Sequence, residues 1–446
     1  MVFKILTIII VSFYLFISLR YFVRLAVFIK KYRQVKKLGS VELEKETLFL
    51  IPMYKEKKMA KETFDFFLNI AKTNEKAKVV FVCTAKEDGL GEDETTYDLL
   101  SSYKKEANCE SMFVYKYPKT TGIMAHQVNY GVKKYCEDTN STDFWVAIYN
   151  CDSRLDNISL NEIFYNINNA KTQTVFQQYS YYYVPNKRFS SIPLSSAVWQ
   201  TRWSIFKENA MARNRCGFRK KIKNFNAFYA LFEPFSYCIG HGIIINAETF
   251  IKVGGMPEDS INEDTFMGYV ICSEGLEIQP LYSLERAESV SSTRTLINQQ
   301  ASWFNGPVNS LKYYEQYCND NDCTFKRPIC KKENKLRSKI RAFKSFDYAL
   351  AWMFSPVILL IILPIVSILG YSIFGILISV LTAEFYLFII NLVMFFALRE
   401  NGIKAVMPSP IFDILFYFCH GLSTFIWLFR NLSGKNRIDN KYKTER

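Results

Sequence analysis

Two short segments with acidic residues stand about a hundred residues apart in this chain. Asn150-Cys151-Asp152 ends a short apolar run, and Glu263-Asp264 follows a glycine-containing stretch. A carboxylate at the end of a strand can hold a hard divalent cation such as Mg²⁺ or Mn²⁺. A second carboxylate, with its pKa raised by an adjacent like charge and partial burial, can accept a proton. The pattern indicates a site that binds a metal and removes a proton.

Each acidic group also has a plain structural interpretation. An Asp that ends a strand often only starts a turn, which is the alternative for Asp152. An acidic pair often opens an exposed helix, where it faces the positive end of the helix dipole, and this is the alternative for Glu263-Asp264.

The elements around the first acidic group alternate between strand-like and helix-like patterns. The strand-like runs are TLFLIPMY, KVVFVCT, SMFVYKY and FWVAIYN, and helical patterns separate them near 58–69, 94–107 and 123–135. This alternation predicts an α/β fold with a mostly parallel sheet, in which ligands bind at the carboxyl ends of the strands. Asn150 to Ser153 would occupy such an end.

Apolar segments flank this region on both sides. The first, from about Ile5 to Ile29, is long enough to cross a bilayer, and no signal cleavage site follows it. We therefore expect a membrane anchor. Basic residues beside a membrane span favour the cytoplasmic side of the membrane. Five such residues follow this segment, so the domain after them is predicted to be cytoplasmic. These residues are Lys30, Lys31, Arg33, Lys36 and Lys37.

Three more apolar segments lie towards the C-terminus. The segments at about 346–369 and 371–398 predict a transmembrane hairpin that turns at Gly370, with both ends in the cytoplasm. The third, Ile411 to Phe429, would place a basic tail outside if it crossed the membrane. An interfacial or re-entrant helix is favoured there for this reason.

Composition excludes some classes of function. The chain of 446 residues has a formal charge of +14 and 16% aromatic residues, but its basic residues gather beside the apolar segments. Membrane flanks explain this charge better than a nucleic-acid partner does. A channel or transporter is disfavoured, because only Glu384 stands out as an ionisable residue within the hairpin.

The eleven cysteines form no regular framework, which predicts reduced thiols in a cytosolic environment. Cys318, Cys323 and Cys330 cluster without a nearby histidine or CxxC spacing. A surface loop is preferred to a zinc site for this cluster.

Six short motifs occur in a defined order. They are PMYKE at 52–56, GIMAHQVNY at 122–130, YNCDS at 149–153, GHGIIIN at 240–246, GGMPEDSINEDTFMGY at 254–269 and QQASWFNG at 299–306. The series resembles family 2 glycosyltransferases with the GT-A fold, in particular membrane-integrated members related to cellulose and hyaluronan synthases. The resemblance covers about Thr47 to Gly306 together with the arrangement of flanking helices.

The resemblance implies a function and a location. It implies transfer of a sugar, with inversion, from a nucleotide-sugar donor, for which UDP is expected, to a polysaccharide or lipid-linked acceptor. The enzyme would be integral to the cell membrane, with its catalytic domain in the cytoplasm and a role in polysaccharide biosynthesis. A membrane scaffold that keeps the GT-A fold without catalysis is the alternative.

Roles for single residues also follow from the resemblance. Asp152 would bind Mg or Mn, and Asp264, beside Glu263, would act as general base. The donor-binding residues would be Pro52, Tyr54, Glu56, Asn150 and Asp152, and the acceptor-binding residues would be Gly240, His241, Gly242, Gln299 and Trp303. The competing interpretation of Gly240 to Gly242 is a turn that begins a strand.

The chain departs from the family pattern at several positions. Asn150 replaces an Asp, Ser302 replaces an Arg, and Met124 replaces a Lys, which leaves His126 or Gln127 to contact phosphate. The acidic pair expected near Cys83-Thr84 is absent, and Glu87 is the candidate to compensate. QTRW at 200–203 precedes the acidic pair and is one residue too short, so we interpret it as a coincidence.

Five parts are expected along the chain. They are an N-terminal transmembrane anchor at 1–37, a cytosolic GT-A domain at 46–310, a basic interfacial linker at 311–345, membrane helices at 346–430 and a basic tail at 431–446.

Overall fold

The computed structural model describes residues 1–89, 94–185, 190–221, 227–319, 323–327 and 335–433. Cys330, the start of the basic run at Lys331 and most of the basic tail lie outside these residues.

A seven-stranded sheet forms the centre of the middle domain, in the order β3-β2-β1-β4-β6-β5-β7. Its pairs are parallel except where β6 joins β4 and β5. The predicted α/β fold with a mostly parallel sheet is therefore confirmed. The strands are β1 Thr47–Pro52, β2 Ala77–Thr84, β3 Met112–Tyr117, β4 Trp145–Ile148, β5 Thr174–Tyr183, β6 Ile243–Asn246 and β7 Glu277–Glu288.

Helices cover both faces of the sheet and continue towards the flanks. The first twelve helices are α1 Val2–Val35, α2 Lys57–Thr73, α3 Thr96–Ala107, α4 Met124–Thr139, α5 Asn157–Asn169, α6 Ile192–Trp203, α7 Ala210–Lys221, α8 Ala227–Ala230, α9 Ala247–Lys252, α10 Glu263–Ser273, α11 Thr293–Asn309 and α12 Tyr313–Cys318. The later helices are α13 Lys335–Val357, α14 Leu363–Tyr371, α15 Ile373–Glu384, α16 Ile390–Glu400 and α17 Pro410–Leu432.

Some neighbouring helices are continuous through short wider turns. Segments of π-helix at Ser204–Asn209, Ile358–Ile362 and Phe385–Ile389 join α6 to α7, α13 to α14, and α15 to α16. Short 3₁₀ turns occur at Ala85–Glu87 and Ser310–Lys312.

The apolar alternation along the strands builds a core on each face of the sheet. Phe49 and Ile51 of β1 point to the face that α2 covers, and Leu48 and Leu50 point to the face that α4 covers. Successive side chains in a strand point to opposite faces, and a parallel sheet buried on both sides therefore needs a continuous apolar run. This burial fixes the positions of the strand ends that carry Pro52 and Asn150.

Four helical segments are long and apolar enough to cross a membrane: Val2–Val35, Lys335–Tyr371, Phe374–Glu400 and Pro410–Leu432. The second and third form the predicted hairpin. The chain reverses at Ser372, whose φ is +55°, rather than at Gly370. Gly370 is still helical, and a side chain there would lie 3.2 Å from the backbone nitrogen of Lys4, so its small size admits α1.

One apolar core joins the flanking helices to the sheet domain. Tyr21 of α1 stacks on Phe206 with ring centroids 5.1 Å apart. Arg202 of α6 is buried, donates to the carbonyl oxygen of Tyr386 at 2.7 Å and lies 4.5 Å from the Tyr386 ring centroid. The continuous helix from α6 to α7 thus connects the apolar helices to the edge of the sheet.

Helix α17 is continuous and packs along its length against α6 and α11. Trp199 of α6 lies 5.0 Å from Tyr417, measured between ring centroids, and Arg430 donates to Asn298 of α11 at 2.6 Å. The re-entrant interpretation does not apply to a continuous helix. Its exposed side is an apolar stripe at Ile411, Leu415, Phe418, Leu422, Phe425, Phe429 and Leu432.

Candidate functional site

A cavity of about 490 Å³ lies at the carboxyl ends of β1, β2 and β4. It brings together all of the predicted site residues except Gly242. Those that line it are Pro52, Tyr54, Glu56, Asn150, Asp152, Gly240, His241, Glu263, Asp264, Gln299 and Trp303.

Asp152 stands on the turn that follows β4 and is 2% exposed. Its Oδ2 accepts a hydrogen bond from the backbone N–H of Glu288 at 2.9 Å, which fixes the carboxylate on the cavity wall. Asn150 and Glu288 line the same cavity. Asp152 therefore does more than begin a turn, because its buried carboxylate belongs to the wall of a large cavity.

Oxygen donors at this wall suit a hard divalent cation. Within the described ranges no three His, Cys, Asp or Glu side chains come close enough to hold a metal ion by themselves. A cation here would therefore take the Asp152 carboxylate as its protein ligand and fill its remaining positions with oxygens of a bound ligand. The donor set fits Mg²⁺ or Mn²⁺ in that arrangement.

Glu263 and Asp264 open α10, as a helix-start pair would, but the pair is not exposed. Glu263 is 2% exposed and Asp264 is half-buried. Oδ1 of Asp264 accepts from the backbone N–H of Thr265 at 2.7 Å, which orients the carboxylate. A side chain at Gly240 would lie 3.4 Å from Oδ2 of Asp264, so this glycine leaves space beside the carboxylate.

His241 faces a second carboxylate that the sequence analysis missed. Its Nδ1 contacts Glu285 of β7, which is 0% exposed and also accepts from the Ser180 hydroxyl at 3.0 Å. Burial lowers the pKa of His241, but the charges of Glu285 and Asp152 outweigh burial and raise it above its ordinary value. The sequence of β7 does not single out this partner, because the strand also contains Glu277, Arg286 and Glu288.

Glu208 is another cavity-lining carboxylate that sequence reasoning missed. It lies on the π-helical segment after α6, and it accepts from the hydroxyl groups of Tyr237 at 2.8 Å and Ser204 at 3.3 Å. Burial raises its pKa to about 7. Segments of π-helix often occur at functional sites, but the sequence pattern does not distinguish them from α-helix.

Tyr54 lies beside a lysine that the sequence analysis does not predict. Lys86 lines the cavity, and its amine lies 5.7 Å from the Tyr54 ring centroid. Glu87 does not line the cavity. It is buried and accepts from the backbone N–H groups of Lys55 at 2.6 Å and Thr96 at 2.8 Å, so it holds the loop after β1 in place.

The two candidates for phosphate contact after Met124 are both engaged in the fold. Nδ1 of His126 accepts from the backbone N–H of Ile123 at 3.1 Å and so caps α4. Gln127 lines the cavity, but its side-chain nitrogen donates to the carbonyl oxygens of Met53 at 2.9 Å and Val82 at 2.7 Å. His126 does not line the cavity, and its contact with Ile123 gives it a structural role.

Gly242 lies outside the cavity lining and immediately precedes β6. Its φ is +69°, and a side chain there would lie 2.6 Å from the carbonyl oxygen of Gln178. The GHG motif therefore has two parts. Gly240 and His241 line the cavity, and Gly242 makes the turn that starts the strand.

The cavity continues from the sheet towards the apolar helices. Trp303 and Gln300 of α11, Trp352 of α13 and His420 of α17 line this end. His420 stacks on Trp352 with centroids 4.6 Å apart.

Only part of the QTRW sequence at 200–203 lines the cavity. Gln200 and Trp203 line it, whereas Arg202 turns away to the apolar helices. This region, from β5 to the end of α6, thus contacts both the cavity and the apolar helices.

Comparison with known proteins bears on the class of chemistry. The model of glycosyl transferase family group 2 matches residues 145–398, which is more than half of the chain. The chain belongs to this family. It is a glycosyltransferase with a GT-A-type α/β domain between apolar helices. No curated protein matches the chain.

Two solved structures are similar to this glycosyltransferase at low identity. The mannosyltransferase PcManGT from Pyrobaculum calidifontis, in complex with GDP-Man and Mn²⁺, is 12% identical with a TM-score of 0.46, over 96% of this chain and 100% of that one. TarS from S. aureus is 12% identical with a TM-score of 0.38, over 85% of this chain and 55% of that one. At these scores neither likeness carries an argument about donor or acceptor.

Proposed function

We propose that the chain transfers a sugar from a nucleotide-sugar donor, with inversion, to a lipid-linked or polysaccharide acceptor at the membrane. The observation that carries this proposal is the single continuous cavity. It joins the strand ends with Asp152 to Asp264 and then reaches Trp352 and His420 of the apolar helices. A donor and a membrane-bound acceptor can therefore meet in one enclosed space.

The donor would bind at the end formed by the loop after β1. Tyr54 offers a ring for the base, and Pro52 and Glu56 complete the loop around it. Asn150 and Asp152 would meet the diphosphate, and Lys86 adds a positive charge beside Tyr54. UDP is the nucleotide we expect. A Mg²⁺ or Mn²⁺ ion at Asp152 would neutralise charge on the leaving diphosphate.

The transfer itself needs one proton acceptor. The hydroxyl group of the sugar acceptor gives its proton to Asp264, and its oxygen forms a bond to the anomeric carbon of the donor. The bond between that carbon and the diphosphate oxygen breaks at the same time. Attack from the opposite face inverts the anomeric centre. The hydrogen bond from Thr265 orients Asp264, and Gly240 leaves room for the incoming hydroxyl. Glu263, which lines the same cavity, is the second carboxylate of this catalytic pair.

The acceptor would bind between α10 and the apolar helices. Trp303 is partly exposed in the cavity and offers a face on which a sugar can stack. Gln299 and His241 add polar groups to the same wall. Because this end is lined by α13 and α17, a lipid-linked sugar or a polysaccharide at the membrane fits better than a soluble acceptor. A role in polysaccharide biosynthesis, like that of the cellulose and hyaluronan synthases, follows.

We further propose the arrangement in the membrane. Helix α1 and the hairpin Lys335–Glu400 cross the cell membrane, and the domain at 46–310 lies on the cytoplasmic side. Helix α17 lies in the interface, because one side of it packs on α6 and α11 while its apolar stripe faces outward. The linker at 311–345 ends inside α13, which is helical from Lys335.

Replacing Asp264 with Asn tests this function. We expect D264N to lower kcat for transfer about 10²- to 10⁴-fold, because the amide cannot accept the proton, while the Kd of the donor stays within about twofold. Asp65→Asn, at an exposed position of α2, is the control and should keep full activity. If the wild type and D264N bind the donor equally and neither transfers sugar, the chain is a scaffold.

A further inference from the structure

Asn262 stands immediately before the acidic pair Glu263-Asp264 and is the N-cap residue of α10. An asparagine at this position commonly turns its side chain back to accept from a backbone N–H of its own helix. Within α10, which the structure describes in full, the side chain of Asn262 makes no such bond. Its Oδ1 accepts instead from Nδ2 of Asn305 in α11 at 3.3 Å. The residue that begins α10 is therefore held from outside its own helix.

Gly306 of α11 lets Asn262 approach that helix closely. A side chain added at Gly306 would lie 2.9 Å from Cβ and 3.0 Å from Cγ of Asn262. The carbonyl oxygen of Asn262 also accepts from the backbone N–H of Phe266 at 3.2 Å, in the first turn of α10. Asn262 is 8% exposed and lines the cavity together with Glu263 and Asp264. A shift of Asn262 would therefore move the two carboxylates that follow it.

Asn305 is fixed on its other side by α17. Its Oδ1 accepts from Nε1 of Trp427 at 3.1 Å and from Nδ2 of Asn309 at 2.9 Å. Because an indole N–H can only donate, the amide oxygen of Asn305 must face Trp427. The amide nitrogen is thereby turned towards Asn262. A chain of hydrogen bonds thus runs from α17 through Asn305 to the residue before the acidic pair.

Trp427 lies on the inward side of α17. It is 9% exposed, and its ring packs edge to face against Phe304 with centroids 5.4 Å apart. Phe425 and Phe429, two residues to either side, belong to the exposed apolar stripe. The helix therefore presents Trp427 to α11 and its apolar stripe to the outside. In the proposed arrangement, burial of that stripe in the membrane interface sets the depth of Trp427.

We propose that Asn305 is a positioning residue that couples the seating of α17 in the membrane to the acidic pair. Asn305 does not line the cavity, so it acts through Asn262. The inference rests on the proposed transfer reaction, in which Asp264 takes the proton of the acceptor. Displacing a reacting group by about 1 Å can slow a reaction about 10²-fold. Loss of this chain of hydrogen bonds therefore lowers the rate of transfer more than it weakens binding of the donor.

Trp427→Phe tests this coupling, because it keeps an aromatic ring against Phe304 and removes the N–H. For the full chain in lipid nanodiscs, we expect kcat for transfer to fall about 5- to 50-fold, with KM for the donor within about twofold. Arg430→Met is the matched control. It removes another hydrogen bond between α17 and α11, from Arg430 to Asn298 at 2.6 Å, and should keep kcat within about twofold.

A double variant separates positioning from general destabilisation. Asn305→Ala should lower kcat at least as far as Trp427→Phe does. The two changes together should be no slower than Asn305→Ala alone, because they interrupt one chain of contacts. If Asn305→Ala does not fold, Trp427→Phe and Arg430→Met decide the question.

Three results in an active wild type would overturn the inference alone. They are an unchanged kcat in Trp427→Phe, an equal loss of kcat in Arg430→Met, and losses that multiply in the double variant. Absence of transfer by the wild type would instead refute the proposed function, on which the inference rests.

Discussion

Glu208 illustrates how a single buried residue can set a pH dependence. Its pKa rises from 4.5 to about 7 because of burial in the cavity wall. Between these values the folded state binds a proton that the unfolded state has released, so this residue's contribution to stability is present at low pH and is lost as pH rises to about 7.

We therefore expect Glu208→Gln to flatten the pH dependence of stability. Wild-type Tm should fall between pH 5 and pH 8 by more than the Tm of E208Q, since Gln has no charge to bury. Thermal unfolding across this range measures the difference. Glu75→Gln, in an exposed turn, should keep the wild-type slope. Parallel curves for the wild type and E208Q would show that Glu208 does not titrate in this window.

At the scale of single residues, the sequence best predicts the site residues that belong to the series of short motifs along the chain. Asp152 and Asp264 follow from their places at a strand end and a helix start, and both line the cavity. Glu208 reaches it, and Glu285 reaches His241, through tertiary packing, and no local spacing marks either carboxylate. Glu87 was expected near the donor, but its carboxylate binds backbone amides instead. Side-chain direction is the part that sequence spacing leaves open.

Among the elements, the turn before β6 shows why a glycine can be required for structure within a functional motif. Gly242 combines a φ of +69° with a carbonyl oxygen 2.6 Å from the position of an added side chain. Both features disfavour any residue with a side chain at this position.

Gly242→Ala should lower stability by more than about 1 kcal/mol, because the left-handed backbone strains and the Gln178 carbonyl must move. Gly217→Ala is the matched control. Gly217 lies in α7 with no atom within 4 Å of an added side chain, so the change should be neutral or stabilise by about 0.5–1 kcal/mol. Chemical unfolding of both variants measures the difference. Equal stability would refute the steric role of Gly242.

Element boundaries were predictable where one physical signal dominates. The apolar runs of β1, β2 and β4 gave the strands, and the apolar hairpin was recognised by its length. The sequence predicts the turn at Gly370, whereas the chain turns at Ser372. Gly370 is still helical, and its small size admits α1. A glycine that serves packing and a glycine that serves a turn have the same sequence signal.

For the whole molecule, the path of α17 decides on which side of the membrane the C-terminus lies. Its length and composition allow a crossing, whereas its contacts with α6 and α11 favour the interface. We expect the C-terminus to lie on the same side of the membrane as the sheet domain.

Two epitope tags test this arrangement, one after Arg446 and one at Thr142, an exposed position in the loop before β4. In sealed membrane vesicles of defined orientation, both tags should be digested by protease together or protected together. Protection of one tag while the other is digested would mean that α17 crosses the membrane.

The central claim is metal-dependent sugar transfer in a cavity built from Asp152 and Asp264. The most direct measurement is nucleotide release by the purified protein in lipid, from UDP-, GDP- and CDP-sugars, with Mn²⁺ or Mg²⁺ and with chelator. The wild type should release nucleotide from one donor class, and chelator, Asp152→Ala or Asp264→Asn should each abolish it. No release from any donor in the presence of membrane lipid, or release that survives both substitutions, would contradict the account.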